Sequence, residues 1–321
     1  MIPAIASVPM SKAYVDRIES WPSPCPEDEG VTLLASTLHS IERRFSNIGF
    51  EIGRESVLRM SILDFLRLKD LLPSVSVVDA SPALWATRNI KSDLEIAKIR
   101  TAATIAGLAF EAVPGYARSG MTEESICREF TIDLLRGGAH EVPYLASASG
   151  PGGYDQIISR GTQRALRDGD IFIMDVGATV DGYFCDFDRN YAVGDLSDSA
   201  KRANEAVWNA TQAGIESARS GTRVSDLWSS MMTVLQAAGM KGNNVGRMGH
   251  GLGLQLTEPP SNSSTDEAVL EPGMVITIEP GMEYEKDCMI VHEENIYITP
   301  DGYAELLTPR APKEMWRLDP N

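Results

Sequence analysis

Two segments of the chain place acidic residues on apolar, strand-like runs, and this pattern constrains the fold more than any other. In the first segment, 171–177 (IFIMDVG), the apolar run ends at Asp175. An Asp-Gly turn at 181–182 follows, and the returning strand carries Asp186 and Asp188. Because strand side chains alternate between two faces, Asp186 and Asp188 share one face, and a hairpin brings Asp175 beside them. Such carboxylates repel each other unless a cation lies between them.

A second segment repeats this arrangement. The apolar run 274–279 ends at Glu279, a Pro-Gly turn follows, and the returning segment buries Glu293 inside a predicted strand. Between the two segments, His250 lies in a glycine-rich turn (GHGLG), where the backbone can approach a ligand closely. Four acids and one neutral imidazole suit a pair of Mn, Co, Fe or Zn ions. For the first hairpin alone, a solvated acidic face with Arg189 as ion-pair partner is an equal alternative.

The pattern of helices and strands changes near residue 90. Residues 1–90 predict a small α/β unit, near the lower size limit for an independent core. Beyond it, helices segregate from antiparallel strands, which predicts an α+β fold for 91–321. The predicted helices are 31–46, 56–71, 92–109, 122–135, 198–218 and 225–238. The predicted strands are 47–52, 74–80, 142–148, 170–176, 182–193, 274–279 and 289–298.

Charge and cysteine content exclude several classes of function. Residues 91–321 hold 34 acidic against 20 basic residues, a net charge of −14 within a total of −16. A chain this acidic repels phosphate backbones, so no nucleic-acid partner is expected. No apolar run approaches the roughly 18–20 residues that span a bilayer, so no membrane partner is expected either. Four widely separated cysteines, without a CxxC pair, predict free thiols and a cytoplasmic protein.

These motifs resemble the pita-bread metallopeptidases, which comprise methionine aminopeptidase, aminopeptidase P, prolidase and the related creatinase. The resemblance rests on the order of acids and histidine, on the GHGLG and EPG motifs, and on the helix opening IKSDLEIAKIRTAATIAG. It covers about 90–310 and extends loosely to 47–88, which looks like the latter part of a shortened creatinase-type N-terminal domain. It implies a pita-bread fold and a two-metal centre with the ligands Asp175, Asp186, His250, Glu279 and Glu293.

The resemblance also implies a chemistry for this centre. Two divalent metal ions would activate a bridging water and polarise a substrate carbonyl, with Glu279 as the general base. Asp188 stands where the family usually has threonine, so it could orient a metal ligand or add an acid or base. The alternative for Asp188 is a salt bridge to Arg189 or another base. Cys185 is expected in the core by alternation, and a homodimer is expected because such peptidases often dimerise.

Histidines that the family uses to bind the substrate carbonyl and to protonate the leaving amine are missing. By the resemblance, their positions here are Ile158, Thr257 and, for prolidases and aminopeptidase P, Gly246. A threonine can donate a hydrogen bond but cannot shuttle a proton near neutral pH. The chain's other histidines are His39, His140 and His292, the last expected on the opposite side of its strand from Glu293. The candidate replacements for the shuttle are Asp188, His140 and Tyr183.

Three functions are compatible with this sequence. The first is a metal-dependent Xaa-Pro aminopeptidase or dipeptidase that cleaves short peptides with a metal-bridged water. The second is a metal-dependent hydrolase or lyase of a small non-peptide amide or modified amino acid, which the missing histidines favour. The third is a non-catalytic binding module, which the intact set of five ligands disfavours.

Overall fold

The chain forms two compact units in the computed structural model, Met1–Trp85 and Ala86–Asn321. The structure describes residues 1–41, 46–242 and 246–318. Across these described ranges, no helix is both long enough and apolar enough to cross a membrane.

The first unit is built from short elements around a small apolar core. Its elements are β1 (Ile2–Pro3), α1 (Ser7–Met10), β2 (Ser20–Trp21), α2 (Val31–Ile41), β3 (Asn47–Phe50), α3 (Ile62–Leu71) and β4 (Ser76–Asp79). Strands β3 and β4 pair in parallel, and α2 packs on α3 through Val31 and Leu68. The predicted alternation of helices and strands is therefore correct here.

The described part of α2 and the whole of α3 are shorter than the helices that the sequence predicts. The helix predicted from residue 56 begins only after Ser61, whose hydroxyl accepts a hydrogen bond from the Asp64 amide and so satisfies an open donor of the first turn. The helix predicted to reach residue 46 is described to Ile41, and 42–45 lie outside the described residues.

The second unit contains the remaining helices and eleven strands within the described ranges. The helices are α4 (Ser81–Arg88, which begins in the first unit), α5 (Asp93–Ala112), α6 (Glu123–Gly137), α7 (Asp198–Ser217) and α8 (Val224–Ala237). The strands are β5 (Glu141–Pro151), β6 (Asp170–Val180), β7 (Tyr183–Val193), β8 (His250–Gly251), β9 (Glu258–Ser261), β10 (Val275–Ile278), β11 (Gly281–Glu285), β12 (Cys288–Val291), β13 (Glu294–Ile298), β14 (Ala304–Leu306) and β15 (Trp316–Leu318).

Two sheets of this unit carry the acidic residues. One has the strand order β15-β7-β6-β5 and the other β14-β13-β10-β8-β9, while β11 and β12 form a separate hairpin. Strands β6 and β7 are antiparallel, and their turn residues Asp181 and Gly182 have φ of 50° and 80°. Positive φ at both positions is what the predicted Asp-Gly hairpin turn requires.

The hydrophobic core fixes which face of the β6–β7 hairpin bears the acids. Met174, Cys185 and Phe187 pack with Phe110 and Phe130 of α5 and α6. Because side chains alternate, the even-numbered acids of β7 project from the opposite face. Cys185 is fully buried in this core, as expected.

Two predictions about the acid-bearing strands were wrong in detail. Asp175 does not end its strand, because β6 continues to Val180 and pairs with β7 as far as the turn. Glu293 does not lie inside a strand. It falls between β12, which pairs with β11, and β13, which pairs with β10, so the chain changes partner at this residue.

Candidate metal centre

The strand register brings three aspartates together on one face of the first sheet. Asp175 lies directly opposite Asp188, and Gly177 lies opposite Asp186. Asp186 and Asp188 are both almost completely buried, and Asp175 is partly accessible. The hairpin thus holds three carboxylates within one or two residue positions of each other.

The second sheet contributes the histidine and two glutamates. His250 begins β8, Glu279 follows β10, and Glu293 immediately precedes β13. Ligand atoms of Asp186, His250 and Glu293 all lie within 4.8 Å of one another. Residues that are more than 100 positions apart in the sequence therefore converge at one site.

The orientation of His250 leaves one ring nitrogen facing a carboxylate. Its Nδ1 lies 2.9 Å from the carbonyl oxygen of Gly251, which can only accept, so Nδ1 carries the proton. The Nε2 lone pair then faces Asp186 Oδ2 at 3.4 Å. Burial lowers the pKa of His250, which favours the neutral ring. Two acceptors facing each other across this gap are stable only with a cation or a proton between them.

Several buried carboxylate oxygens that accept no hydrogen bond lie at this same site, around Asp186 and His250. Among the described residues, the buried carboxylate oxygens with no hydrogen-bond partner are Asp175 Oδ1, Asp186 Oδ1, both Asp188 oxygens and Glu293 Oε1. A buried acceptor without a donor is costly and rare in folded proteins. These oxygens and His250 Nε2 are the kinds of ligand atom that bind divalent metal ions.

The pKa values report the same cost of burying these acids. Burial and the neighbouring Asp186 carboxylate raise the pKa of Asp175 to about 8. Burial also raises the pKa of Glu279 to about 8. For Asp186 and Glu293, burial raises the pKa well above the usual range. Without a cation, these groups retain protons at pH values where ordinary carboxyls have lost them.

Two neutral side chains position the aspartates. The Tyr144 hydroxyl donates to Asp175 Oδ2 at 3.0 Å. Asn295 binds the backbone of Asp186 on both sides, since its Oδ1 accepts from the Asp186 amide at 3.0 Å and its Nδ2 donates to the Asp186 carbonyl. Asn295 thereby joins β13 of one sheet to β7 of the other. Sequence reasoning missed both residues.

The adjacent acid Glu294 is satisfied by the fold itself. Arg189 Nη2 donates to its Oε2 at 3.0 Å, and Arg310 Nη1 donates to its Oε1 at 3.1 Å. The Thr308 hydroxyl and the Ala311 amide complete the set of donors. These contacts lower the pKa of Glu294 against the effect of burial. Arg189 is therefore the partner of Glu294, and the alternative ion pair with the hairpin aspartates is absent from the described residues.

The positions where the resemblance expects histidine differ in their surroundings. Ile158 is 78% exposed, on the segment between β5 and β6. Gly246 is exposed and has φ of 78°. Thr257 accepts a hydrogen bond from Arg247 Nη2 at 3.3 Å.

Arg247 is a residue of this site that sequence reasoning missed. Its positive charge lowers the pKa values of Asp186 and Glu279 against the effect of burial. It makes no ion pair with a carboxylate in the described ranges, and its one hydrogen bond goes to neutral Thr257. A half-buried arginine beside the acids thus retains donors for a ligand. Its position three residues before His250 was the available signal.

The suggested proton shuttles His140 and Tyr183, and the remaining buried histidine His292, lie elsewhere or are already engaged. The His140 ring accepts from the Asp181 amide at the hairpin turn, roughly 17–20 Å along the strands from the acids. The Tyr183 hydroxyl donates to Glu95 at 2.8 Å. His292 interacts with Glu294 and the two arginines that bind it, and burial lowers its pKa to about 3. None of the three is placed to exchange protons at the acid cluster.

Comparison with known proteins identifies the family. A model described as metallopeptidase family M24 matches residues 97–300, which include every acid of the cluster and His250. The chain belongs to metallopeptidase family M24. Membership implies a divalent metal cofactor, in agreement with the donor set described above.

Two relatives of this chain are named as dipeptidases. The chain is 30% identical over 244 residues to the probable dipeptidase PepE of Mycobacterium bovis, covering 76% of this chain and 64% of the relative. It is 28% identical over 240 residues to the putative dipeptidase YkvY of Bacillus subtilis, covering 75% and 66%. The chain thus spans about two thirds of the length of these relatives.

The structural comparison confirms the predicted fold. A recombinant prolidase from Thermococcus sibiricus superposes with a TM-score of 0.86 at 25% identity, covering 99% of this chain and 83% of that one. The dipeptidase PepE from Mycobacterium ulcerans superposes with a TM-score of 0.84, also at 25% identity, covering 99% and 83%. The α+β pita-bread architecture expected from the sequence is therefore correct.

Proposed function

We propose that this protein is a metal-dependent hydrolase that cleaves Xaa-Pro dipeptides or other short peptides. The proposal rests on one observation. Buried carboxylate oxygens that accept no hydrogen bond lie together with Nε2 of His250, which carries no proton. The dipeptidases and prolidase among its relatives support the substrate class.

The proposed ligands would hold two divalent ions, of Mn, Co, Fe or Zn. Their donors are the carboxylates and the imidazole nitrogen of Asp175, Asp186, His250, Glu279 and Glu293. When bound, such ions lower the pKa of a coordinated water and polarise a substrate carbonyl. The hydrogen bond from His250 Nδ1 to Gly251 holds the ring in the tautomer that offers Nε2.

Glu279 is the proposed general base. Its carboxylate would accept a proton from the attacking water as the water oxygen bonds to the carbonyl carbon. The same carboxyl would pass that proton to the amine nitrogen as the carbon–nitrogen bond breaks. Glu279 and Asp175 are partly accessible, whereas Asp186 and Glu293 are enclosed. Because Asp175 already accepts the Tyr144 hydroxyl, Glu279 is favoured as the acid that meets the substrate.

Arg247 and Thr257 supply a different chemistry from the imidazoles that the resemblance leads one to expect. A guanidinium stays charged at all working pH values and cannot relay a proton. It can donate hydrogen bonds to the carbonyl oxygen as negative charge develops there. We therefore assign charge stabilisation to Arg247 and all proton transfer to Glu279.

A second candidate function rests on the absence of the histidines that the family uses at these positions. With Ile158 exposed and Thr257 paired to an arginine, the site has no imidazole beside His250 among the described residues to protonate a leaving amine. A hydrolase or lyase of a small non-peptide amide or modified amino acid needs no such relay if its leaving group is less basic.

A panel of Xaa-Pro dipeptides and tripeptides, assayed with Mn, Co and Zn, tests the first function. We expect proline release that a chelator abolishes, and a loss of at least about 10²-fold in Glu279→Gln, since a positioned general base contributes about 10²–10⁴-fold. Glu283→Gln, at a partly exposed glutamate of β11, serves as the control. No release from any substrate, with metal bound, would exclude the peptidase and leave the second candidate.

Several finer predictions accompany this proposal. We propose that residues 1–90 form a creatinase-type N-terminal domain and that 91–321 form the catalytic domain, which limited proteolysis can test. The four free cysteines support the predicted cytoplasmic location. The homodimer stays a prediction, and light scattering of the purified protein would test it.

A further inference from the structure

Asp188 is a buried acid that the proposed ligand set does not use. Its strand position places it directly across from Asp175, on the face that also carries Asp186. Its residue surface is 1% exposed. It is therefore part of the acid cluster by position and is shielded from water.

Neither oxygen of Asp188 has a hydrogen-bond partner among the described residues. The neighbouring Arg189 does not supply one, because successive residues of a strand point to opposite faces. Its guanidinium donates to the main-chain carbonyls of Asp188, at 2.5 Å, and Glu293, at 3.1 Å, and to the carboxylate of Glu294. The salt bridge between Asp188 and Arg189, or another base, was the alternative for Asp188, and it is absent among the described residues.

Other buried acids of this unit show how the fold treats a structural carboxylate. Asp170, which is also 1% exposed, receives both Nη atoms of Arg164 at 2.6 and 2.9 Å and the Arg167 amide at 2.8 Å. Glu294 has donors on both oxygens. Asp188 instead resembles Asp175, Asp186 and Glu293, the residues proposed to bind metal, each of which has one buried carboxylate oxygen that accepts no hydrogen bond.

We propose that Asp188 is an additional metal ligand, so that the centre binds its cations with five carboxylates and one imidazole. This inference rests on the proposed metal-dependent function. The fifth carboxylate adds one negative charge beside Asp175 and supplies another hard oxygen donor. Such a donor favours oxygen-preferring ions such as Mn over softer ones.

The proposal predicts opposite effects of one substitution on the metal-free and metal-loaded protein. Asp188→Asn removes a buried carboxyl that no donor stabilises, so the metal-free protein should unfold at the same temperature or a higher one. The same change removes a metal ligand, so the affinity for at least one Mn ion should fall by at least about tenfold. Asp170→Asn is the matched control, because it should lower the unfolding temperature in both states and leave Mn affinity within about twofold.

The experiment uses the full chain, stripped with a chelator and titrated with Mn by calorimetry, with thermal unfolding before and after loading. Asp188→Thr gives a second variant if Asp188→Asn fails to fold. Unchanged Mn affinity and stoichiometry in the folded variant would overturn the proposal. So would a variant that loses stability like Asp170→Asn but keeps its affinity.

These outcomes separate this inference from the proposed function. A wild-type protein that binds neither Mn nor Co would overturn both. A wild-type protein that binds metal but cleaves no peptide would leave the role of Asp188 supported and the peptidase excluded. Loss of affinity in Asp188→Asn, together with a retained or raised metal-free unfolding temperature, is the expected result.

Discussion

His250 Nε2 faces Asp186 Oδ2 at 3.4 Å, while Nδ1 of the same ring is fixed by its hydrogen bond to the Gly251 carbonyl. A neutral imidazole cannot donate through Nε2 in this tautomer, so the pair is two acceptors in contact. Asp186 and His250 come from different sheets, and both are buried. The fold therefore brings them together in an arrangement that a cation stabilises.

The stability of the metal-free protein should fall as pH rises from about 4.5 to about 8. Asp175 and Glu279 have folded-state pKa values raised to about 8, against ordinary values of 3.8 and 4.5. In this window the folded state binds more protons than the unfolded state, so the free energy of unfolding decreases with pH. The slope is about 1.4 kcal/mol per pH unit for each carboxyl that stays protonated.

Thermal unfolding across this pH window, with chelator and with saturating Mn, checks the prediction. Protons compete with the metal for the same carboxylates, so the rise in unfolding temperature on adding Mn should grow with pH. A metal-free protein whose stability increases steadily from pH 5 to 8 would contradict the raised pKa values.

Tyr144→Phe should weaken metal binding without a large effect on folding. The hydroxyl donates to Asp175 at 3.0 Å, and loss of a hydrogen bond that orients a ligand reduces metal affinity about tenfold. Tyr183→Phe makes the same chemical change at a hydroxyl that binds Glu95 instead. Equal Mn dissociation constants for the two variants, measured by calorimetry, would show that Tyr144 does not position Asp175.

Arg247→Gln should lower kcat/KM about 10²-fold on any peptide that the enzyme cleaves, because it removes the donor proposed to stabilise the carbonyl oxygen. Mn should bind as tightly or more tightly, since the positive charge beside the acids is gone. The control is Arg223→Gln, which breaks an exposed pair with Glu267. Weaker Mn binding in Arg247→Gln would show that Arg247 supports the metal centre and does not act on the substrate carbonyl.

Glu294→Gln should destabilise the metal-free protein by about 3–5 kcal/mol, because it leaves the buried Arg189 without its counter-charge. Asp195→Asn, which breaks an exposed ion pair with Arg317, should change stability by less than about 1 kcal/mol. Urea unfolding of both variants measures the difference. Similar losses in the two would mean that the Glu294 network does not stabilise the fold.

The local patterns of the sequence predict the hairpin and its acids well. An Asp-Gly turn and a period of two are enough to place Asp186 and Asp188 on one face and Cys185 on the other. The same alternation argues against a salt bridge between Asp188 and Arg189, which the sequence interpretation had kept as an alternative.

The residues that sequence reasoning missed depend on pairings between distant strands. Tyr144 reaches Asp175 only because β5 pairs with β6, and Asn295 reaches Asp186 only because the two sheets meet there. Arg247 carries no motif of its own, and its contact with Thr257 depends on the chain reversal between the antiparallel strands β8 and β9. The break at Glu293 likewise follows from a change of strand partner that no local pattern reveals.

The metal content of the protein tests the central claim most directly. The purified chain would be loaded with Mn or Co, freed of unbound ion by gel filtration, and analysed for metal per chain by atomic emission. The account predicts two equivalents in the wild type, with reduced content in Asp186→Asn. Less than one equivalent in the wild type after loading with either ion would contradict it.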